Sequence, residues 1–159
     1  ELGYNYRMSN VCAGIGRGQL KVLAERIAKK KYIFEYYRQH LSVLDGLEMM
    51  PVQEYDMPNY WLTCVLLNGE VRPQDVVEAL EAENIESRPI WKPMHLQPYY
   101  RDCDFITLQD QGSVSEVIFS NGVCLPSDSN MTDGELARVT RVVQGLWRVK
   151  LQCDDSSWQ

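Results

Sequence analysis

Histidine is nearly missing from this sequence. Only His40 and His95 carry an imidazole among 159 residues, too few for a histidine-rich metal centre. The five cysteines, Cys12, Cys64, Cys103, Cys124 and Cys153, are odd in number and contain no C-x-x-C pair. Structural zinc sites and disulfide frameworks need such spacings, so the expectation is buried free thiols and no metal. Positive charge is also short, because 16 Lys and Arg against 22 Asp and Glu leave a net charge of −6. Nucleic acids and anionic membranes reward a basic surface that releases counterions. Only a local anion site stays open. No apolar run approaches the roughly 20 residues of a membrane span, and the first residues show neither the basic segment nor the apolar core of a leader. The expectation is therefore a cytoplasmic protein with no membrane or nucleic-acid partner. Repeats, low-complexity tracts and Pro/Gly-rich linkers are lacking as well.

What remains is ordinary globular usage, with 45% hydrophobic and 24% charged residues, enough for one domain with a real core. From a capping Ser9 or Asn10 to about Leu41 the pattern is helical, with Leu20, Leu23, Ile27, Phe34, Tyr37 and Leu41 on one stripe that Lys30 interrupts. This reads as one amphipathic helix or a kinked pair. Its first part, with Ala13, Gly14, Gly16 and Gly18, suggests close packing on another backbone. Leu47 to Tyr55 reads as a strand weakened by Pro51, and Tyr60 to Leu67 as a central strand covered on both faces. Pro73 opens a helix that stops near Asn84. Ile85 to Trp91 reads as an edge strand because of Pro89. Lys92 to Tyr100 is a proline-bound loop rich in aromatic and polar groups, a composition that often lines sites. Ser113 to Asn121 forms a short helix capped by Gly122, and Val123 to Pro126 a brief strand. Thr132 and Glu135 then make a capping box before a last helix to about Val149, with Leu151 to Gln159 as a frayed tail.

Local chemistry is sparse. Gly14-x-Gly16-x-Gly18 is no G-x-G-x-x-G, and no strand precedes it. Asn130–Met131–Thr132 matches a glycosylation sequon, but Thr132 serves better as a helix cap. His40 near a helix C-terminus needs no role beyond offsetting the dipole. His95, between Trp91 and the Tyr99–Tyr100 pair, and the Asn5–Tyr6–Arg7 turn are open to structural or site roles. No nucleophile has a visible base beside it, so the chain reads as part of a site.

Three separated blocks, taken in order, say more. They are Gly3–Tyr4–Asn5–Tyr6–Arg7–Met8–Ser9–Asn10 with the following Ala13–Gly14 and Gly18–Gln19–Leu20; Arg88–Pro89–Ile90–Trp91–Lys92–Pro93–Met94–His95–Leu96–Gln97–Pro98; and Cys124–Leu125–Pro126–Ser127 with Met131–Thr132. Over residues 2 to 147 the sequence resembles the C-terminal part of the DegT/DnrJ/EryC1/StrS family of pyridoxal-phosphate sugar aminotransferases. The second block most resembles members that aminate UDP-linked 4-keto-6-deoxy-N-acetylhexosamines for bacillosamine-type surface glycans.

The resemblance implies an α+β fold, the small C-terminal domain of a fold type I transferase, with a short, mostly antiparallel sheet packed with helices behind a long N-terminal helical segment. It divides the chain into an arm at residues 1–44 that joins a missing large domain, a small domain at 45–150, and a polar tail at 151–159. It implies a homodimer in which Asn5 reaches the pyridoxal 5'-phosphate of the neighbouring subunit, while Arg7 and His95 lie near the nucleotide-sugar substrate. Glutamate is the implied amino donor. The lysine that bonds covalently to the cofactor precedes the Gly–Tyr–Asn–Tyr–Arg motif in the family, and Lys21, Lys29, Lys30, Lys31, Lys92 and Lys150 stand in no matching context. A fragment that does not transaminate alone is the expectation. The alternatives are a non-catalytic domain that associates with itself or a partner through exposed apolar surface, and an independent sugar-phosphate binding domain.

Overall fold

The computed structural model describes residues 3–107 and 113–155, with side chains through Trp147. The long N-terminal helix is two helices. Ser9 caps the first, α1 (Asn10–Leu20), through Cys12 N–H to its Oγ at 3.2 Å, and α2 (Leu23–Leu41) follows after a break at Lys21 and Val22. α1 contains no buried residue. The anticipated stripe works only in the second half of α2, where Ile33, Phe34, Tyr37 and Leu41 are buried while Leu20 and Leu23 face outward.

The sheet is antiparallel throughout, in the order β1–β2–β4–β3, with β1 at Leu47–Met49, β2 at Thr63–Leu67, β3 at Arg88–Pro89 and β4 at Gly122–Leu125. β2 is central, as its composition indicates. Val65 stands opposite Val123 and Thr63 opposite Leu125, so alternation turns Val65, Leu67, Val123 and Leu125 into the core. There they meet Ile33, Tyr37 and Leu41 of α2, Val76 and Leu80 of α3 (Pro73–Ala82), and Leu136, Val139 and Val143 of α5 (Asp133–Asp155). The short helix α4 (Val114–Asn121) leads directly into β4.

Three strands are shorter than their sequence patterns suggest. β1 stops at Met49 before Pro51, whose missing N–H cannot continue a ladder. β2 starts only at Thr63, because Tyr60 has φ 52° and Asn59 Oδ1 accepts from Trp61 N–H at 3.0 Å, a turn that holds the first residues of the apolar run outside the strand. β3 is reduced to two residues at the sheet edge beside Pro89. The proline-bound loop is more regular than expected, with single 3₁₀ turns at Met94–Leu96 and Pro98–Tyr100.

The helix ends follow local chemistry. Thr132 and Glu135 form the capping box, Thr132 N–H to Glu135 Oε2 at 2.7 Å and Glu135 N–H to Thr132 Oγ1 at 3.3 Å, and these bonds hold the Glu135 carboxyl below its ordinary pKa. α5 continues to Asp155, so the region read as a frayed tail from Leu151 begins as helix; residues 156–159 lie outside the described ones. Gly122 ends α4 with extended backbone. A Cβ there would stand 2.4 Å from Ile90 Cγ1 and 2.5 Å from Ile118 O, so close packing, not a left-handed cap, demands glycine. Gly46 does need the left-handed region, at φ 71°, and a Cβ on it would meet Gly69 backbone at 2.7 Å.

Tyr37 is fully buried, and its hydroxyl donates to Pro126 O at 2.8 Å. Tyr37→Phe leaves that carbonyl without its donor and should destabilise the fold by about 1–3 kcal/mol, whereas Ile15→Ala on the outward α1 face should change stability by less than about 0.5 kcal/mol. Urea denaturation of both variants checks this, and equal losses would contradict it.

Candidate functional site

Two separate regions carry the residues singled out above. The first is the arm before α1. Asn5 Oδ1 accepts the Arg7 backbone N–H at 3.0 Å, a local turn typical of Asn, which leaves the Asn5 amide N–H₂ and the Arg7 guanidinium as outward donors. All residues from Gly3 to Asn10 are exposed, Tyr4 and Tyr6 by 83% and 90%. Their rings lie 6.1 Å apart, tilted. The arm therefore presents anion-seeking donors and apolar rings to its surroundings.

The second region surrounds the loop after β3. His95 is tied down on two sides, with Nε2 at 2.8 Å from Glu116 Oε1 on α4 and its ring stacked 3.7 Å from that of Phe105. Glu116 is itself placed by the first turn of α4, where its N–H bonds Ser113 Oγ at 3.4 Å. Lys92 O accepts from Gln97 Nε2 at 3.1 Å and closes the loop on itself. This chemistry fixes the tautomer and direction of the imidazole, which favours an anchoring role for His95. Among the described residues, no hydrogen bond or ring contact joins the arm to the His95 loop.

Beside that loop runs an open groove of about 540 Å³, lined among others by Trp61, Ser87, Arg88, Trp91, Cys124 and Asp128. Trp61 and Trp91 stack across it, centroids 5.8 Å apart, and each is more than 60% exposed. Arg88 bonds Glu86 from Nε at 2.8 Å and Nη2 at 2.5 Å, so its charge is paired but solvated. Among the described residues the buried Ser87 hydroxyl has no hydrogen-bond partner. Sequence reasoning placed Trp61 in a strand and so missed it as a groove residue. The signal was the Pro58–Asn59 turn immediately before it.

The cysteines are only partly the buried thiols anticipated. Cys12 and Cys103 are exposed, Cys64 is half-buried and Cys124 is buried. Cys64 and Cys124 face each other in the β2–β4 ladder, with sulfurs 3.6 Å apart. Among the described residues no cluster of three or more His, Cys, Asp and Glu could hold a metal ion, and no helix is long and apolar enough to cross a membrane.

Residues 1–144 match the DegT/DnrJ/EryC1/StrS aminotransferase family, and the chain belongs to it. It is 46% identical over 147 residues to the putative pyridoxal phosphate-dependent aminotransferase EpsN of Bacillus subtilis, covering 92% of this chain and 38% of that protein. It is 32% identical over 150 residues to the GDP-perosamine synthase of Vibrio cholerae, covering 92% and 39%. Among solved structures, the aminotransferase TlmJ from Streptoalloteichus hindustanus superposes with a TM-score of 0.71 at 26% identity, over 85% of this chain and 35% of that one. The chain thus spans about two fifths of the length of the curated relatives it matches.

If Glu116 is what holds His95, Glu116→Ala should release the loop. Hydrogen exchange should then speed up by about tenfold at the amides of Leu96, Gln97 and Tyr100, the equivalent of a hydrogen bond worth about 1.4 kcal/mol. Unchanged exchange at those amides would show that Phe105 stacking alone holds the imidazole.

Proposed function

We propose that this chain is the C-terminal part of a pyridoxal-phosphate-dependent aminotransferase that transfers an amino group from glutamate to a nucleotide-linked 4-keto-6-deoxy sugar for surface polysaccharide or glycoprotein glycan synthesis. The carrying observation is the arm, where Asn5 and Arg7 are exposed and, among the described residues, the Asn5 amide N–H₂ and the Arg7 guanidinium make no hydrogen bond. Family membership supports the amino-transfer class, and the relatives' names supply the sugar context.

The residues present fit one part of the cofactor's needs. With its oxygen occupied by Arg7 N–H, Asn5 offers its amide N–H₂ to the phosphate of pyridoxal phosphate held by a neighbouring subunit of a homodimer. When bound, that cofactor supplies the electron sink that amino transfer requires. Arg7 offers a planar, permanently charged fork to the substrate's phosphates. His95, whose Nε2–H is held by the Glu116 carboxylate, would keep Nδ1 as an acceptor for a substrate hydroxyl.

In this reading residues 1–44 form the junction to a large domain, 45–150 the small domain and 151–159 a tail. The covalently bonding lysine belongs to the large domain, so the 159-residue chain does not transaminate by itself. The second reading, self-association or partner binding by a non-catalytic domain, draws on the exposed apolar side chains of Met8, Val11, Ile15 and Leu20 in the arm and α1.

The test uses a longer protein carrying this sequence, supplied with pyridoxal phosphate, glutamate and either UDP- or GDP-linked 4-keto-6-deoxy sugar. Mass spectrometry should find the amino sugar with one nucleotide, and Asn5→Ala should weaken cofactor retention by about 10- to 100-fold, the loss of a hydrogen bond to a charged group. The short chain should give no product. Absence of amino sugar from either nucleotide, or full cofactor retention in Asn5→Ala, would refute the assignment.

A further inference from the structure

The groove holds a feature that amino transfer does not use. Cys64 of β2 and Cys124 of β4 are directly opposed, and their sulfurs are 3.6 Å apart. The ladder pattern shows which kind of pair they form. Cys64 O accepts from Met50 N–H, so its backbone points toward β1 and away from β4. Gly122 O accepts from Ile90 N–H on the far side of β4, and Cys124, two residues on, points the same way. The two cysteines are therefore a non-hydrogen-bonded antiparallel pair, the type in which Cα atoms approach to about 4.5 Å and side chains lie closest. That separation falls at the short end of the range a disulfide spans, about 4.4–6.8 Å.

We propose that Cys64 and Cys124 form a redox modification site, a dithiol that closes to an intramolecular disulfide by exchange with a low-molecular-weight disulfide of the glutathione type. Cys124 lines the open groove beside Trp61, Arg88 and Ser127, which gives a small oxidant a path to its sulfur. Arg88 stands opposite Cys124 in the neighbouring ladder, on the same face of the sheet. The two sulfurs share a contact in which either S–H can donate to the other. Cys124, which lines the groove, is the attacking member and Cys64 the resolving one.

The exchange balances without any further reagent. Cys124, as thiolate, attacks one sulfur of the small disulfide, whose S–S bond breaks and releases one thiolate that takes up the proton lost by Cys124. Cys64 then gives up its proton and attacks Cys124 Sγ, expelling the second small thiolate, which takes that proton. Two cysteine thiols are oxidised and one small disulfide is reduced to two thiols.

The experiment equilibrates the 159-residue chain, reduced beforehand, with graded ratios of reduced to oxidised glutathione, then traps thiols with N-ethylmaleimide and maps them by peptide fragmentation. Cys64 and Cys124 should become linked to each other and be freed again by dithiothreitol, while the exposed Cys12 and Cys103 carry glutathione. Cys64→Ser should instead accumulate glutathione on Cys124. In the unaltered chain, either of two results would overturn the proposal: both cysteines trapped as free thiols at ratios that glutathionylate Cys12 and Cys103, or a stable mixed disulfide on Cys124 or Cys64 with no internal link. The unaltered chain decides the matter even if the serine variant folds poorly.

Discussion

The end of β4 is the point on which the rest of this structure depends. Beyond Leu125 the chain leaves the sheet, and the carbonyls of Leu125, Pro126 and Ser127 accept from side chains. Tyr37 donates to Pro126 O at 2.8 Å, and Lys30 Nζ bonds Ser127 O and, at 3.1 Å, Trp61 O. The Ser127 hydroxyl meanwhile accepts from Thr63 N–H at 3.1 Å and donates to Leu125 O at 3.0 Å, both buried. Buried polar groups that lose such partners cost about 1–3 kcal/mol each. α2 is thereby stitched to the start of β2 and the end of β4, which sets where Trp61 enters the groove and brings Cys64 opposite Cys124.

Much of this was legible beforehand, and the residues show why. Central β2, the α3 start at Pro73 and the Thr132–Glu135 capping box depend on local periodicity and on side chains acting within one turn. Lys30 was visible only as a fault in an apolar stripe, because its partners lie 31 and 97 residues away. Tyr60 and Trp61 have strand-forming side chains, yet the Asn59 turn and the positive φ of Tyr60 override that preference. The thiol pair was invisible for a related reason: Cys64 and Cys124 are 60 residues apart, and only ladder register makes them neighbours. For the candidate site, the motifs located the arm and the His95 loop, while Glu116 and Phe105, which hold the imidazole, have no signature in sequence.

The molecule divides into an inward-looking and an outward-looking part. From Ile33 to Val143 a single core joins three of the four strands, β1, β2 and β4, to α2, α3 and α5. Before it, α1 and the Gly3–Asn10 arm expose Tyr4, Tyr6, Met8, Val11, Ile15 and Leu20. Gly14, Gly16 and Gly18 have nothing within 4 Å of where a Cβ would stand, so among the described residues no packing calls for small residues there. A helix of small and apolar residues exposed on all sides, next to exposed Asn5 and Arg7, suits a segment covered by another protein body. In the proposed enzyme that body is the large domain and the neighbouring subunit.

Hydrogen exchange on the 159-residue chain, alongside a longer protein that carries it, tests this division most directly. In the short chain the α1 amides from Ile15 to Leu20 should exchange nearly as fast as an unpacked helix allows, while β2 and β4 amides are protected to the level of global unfolding. In the longer protein the same α1 amides should become at least about tenfold slower, since covering that helix raises the free energy of opening by more than about 1.4 kcal/mol. Equal α1 protection in the two proteins would contradict the account, because the exposed helix would then have no partner to meet.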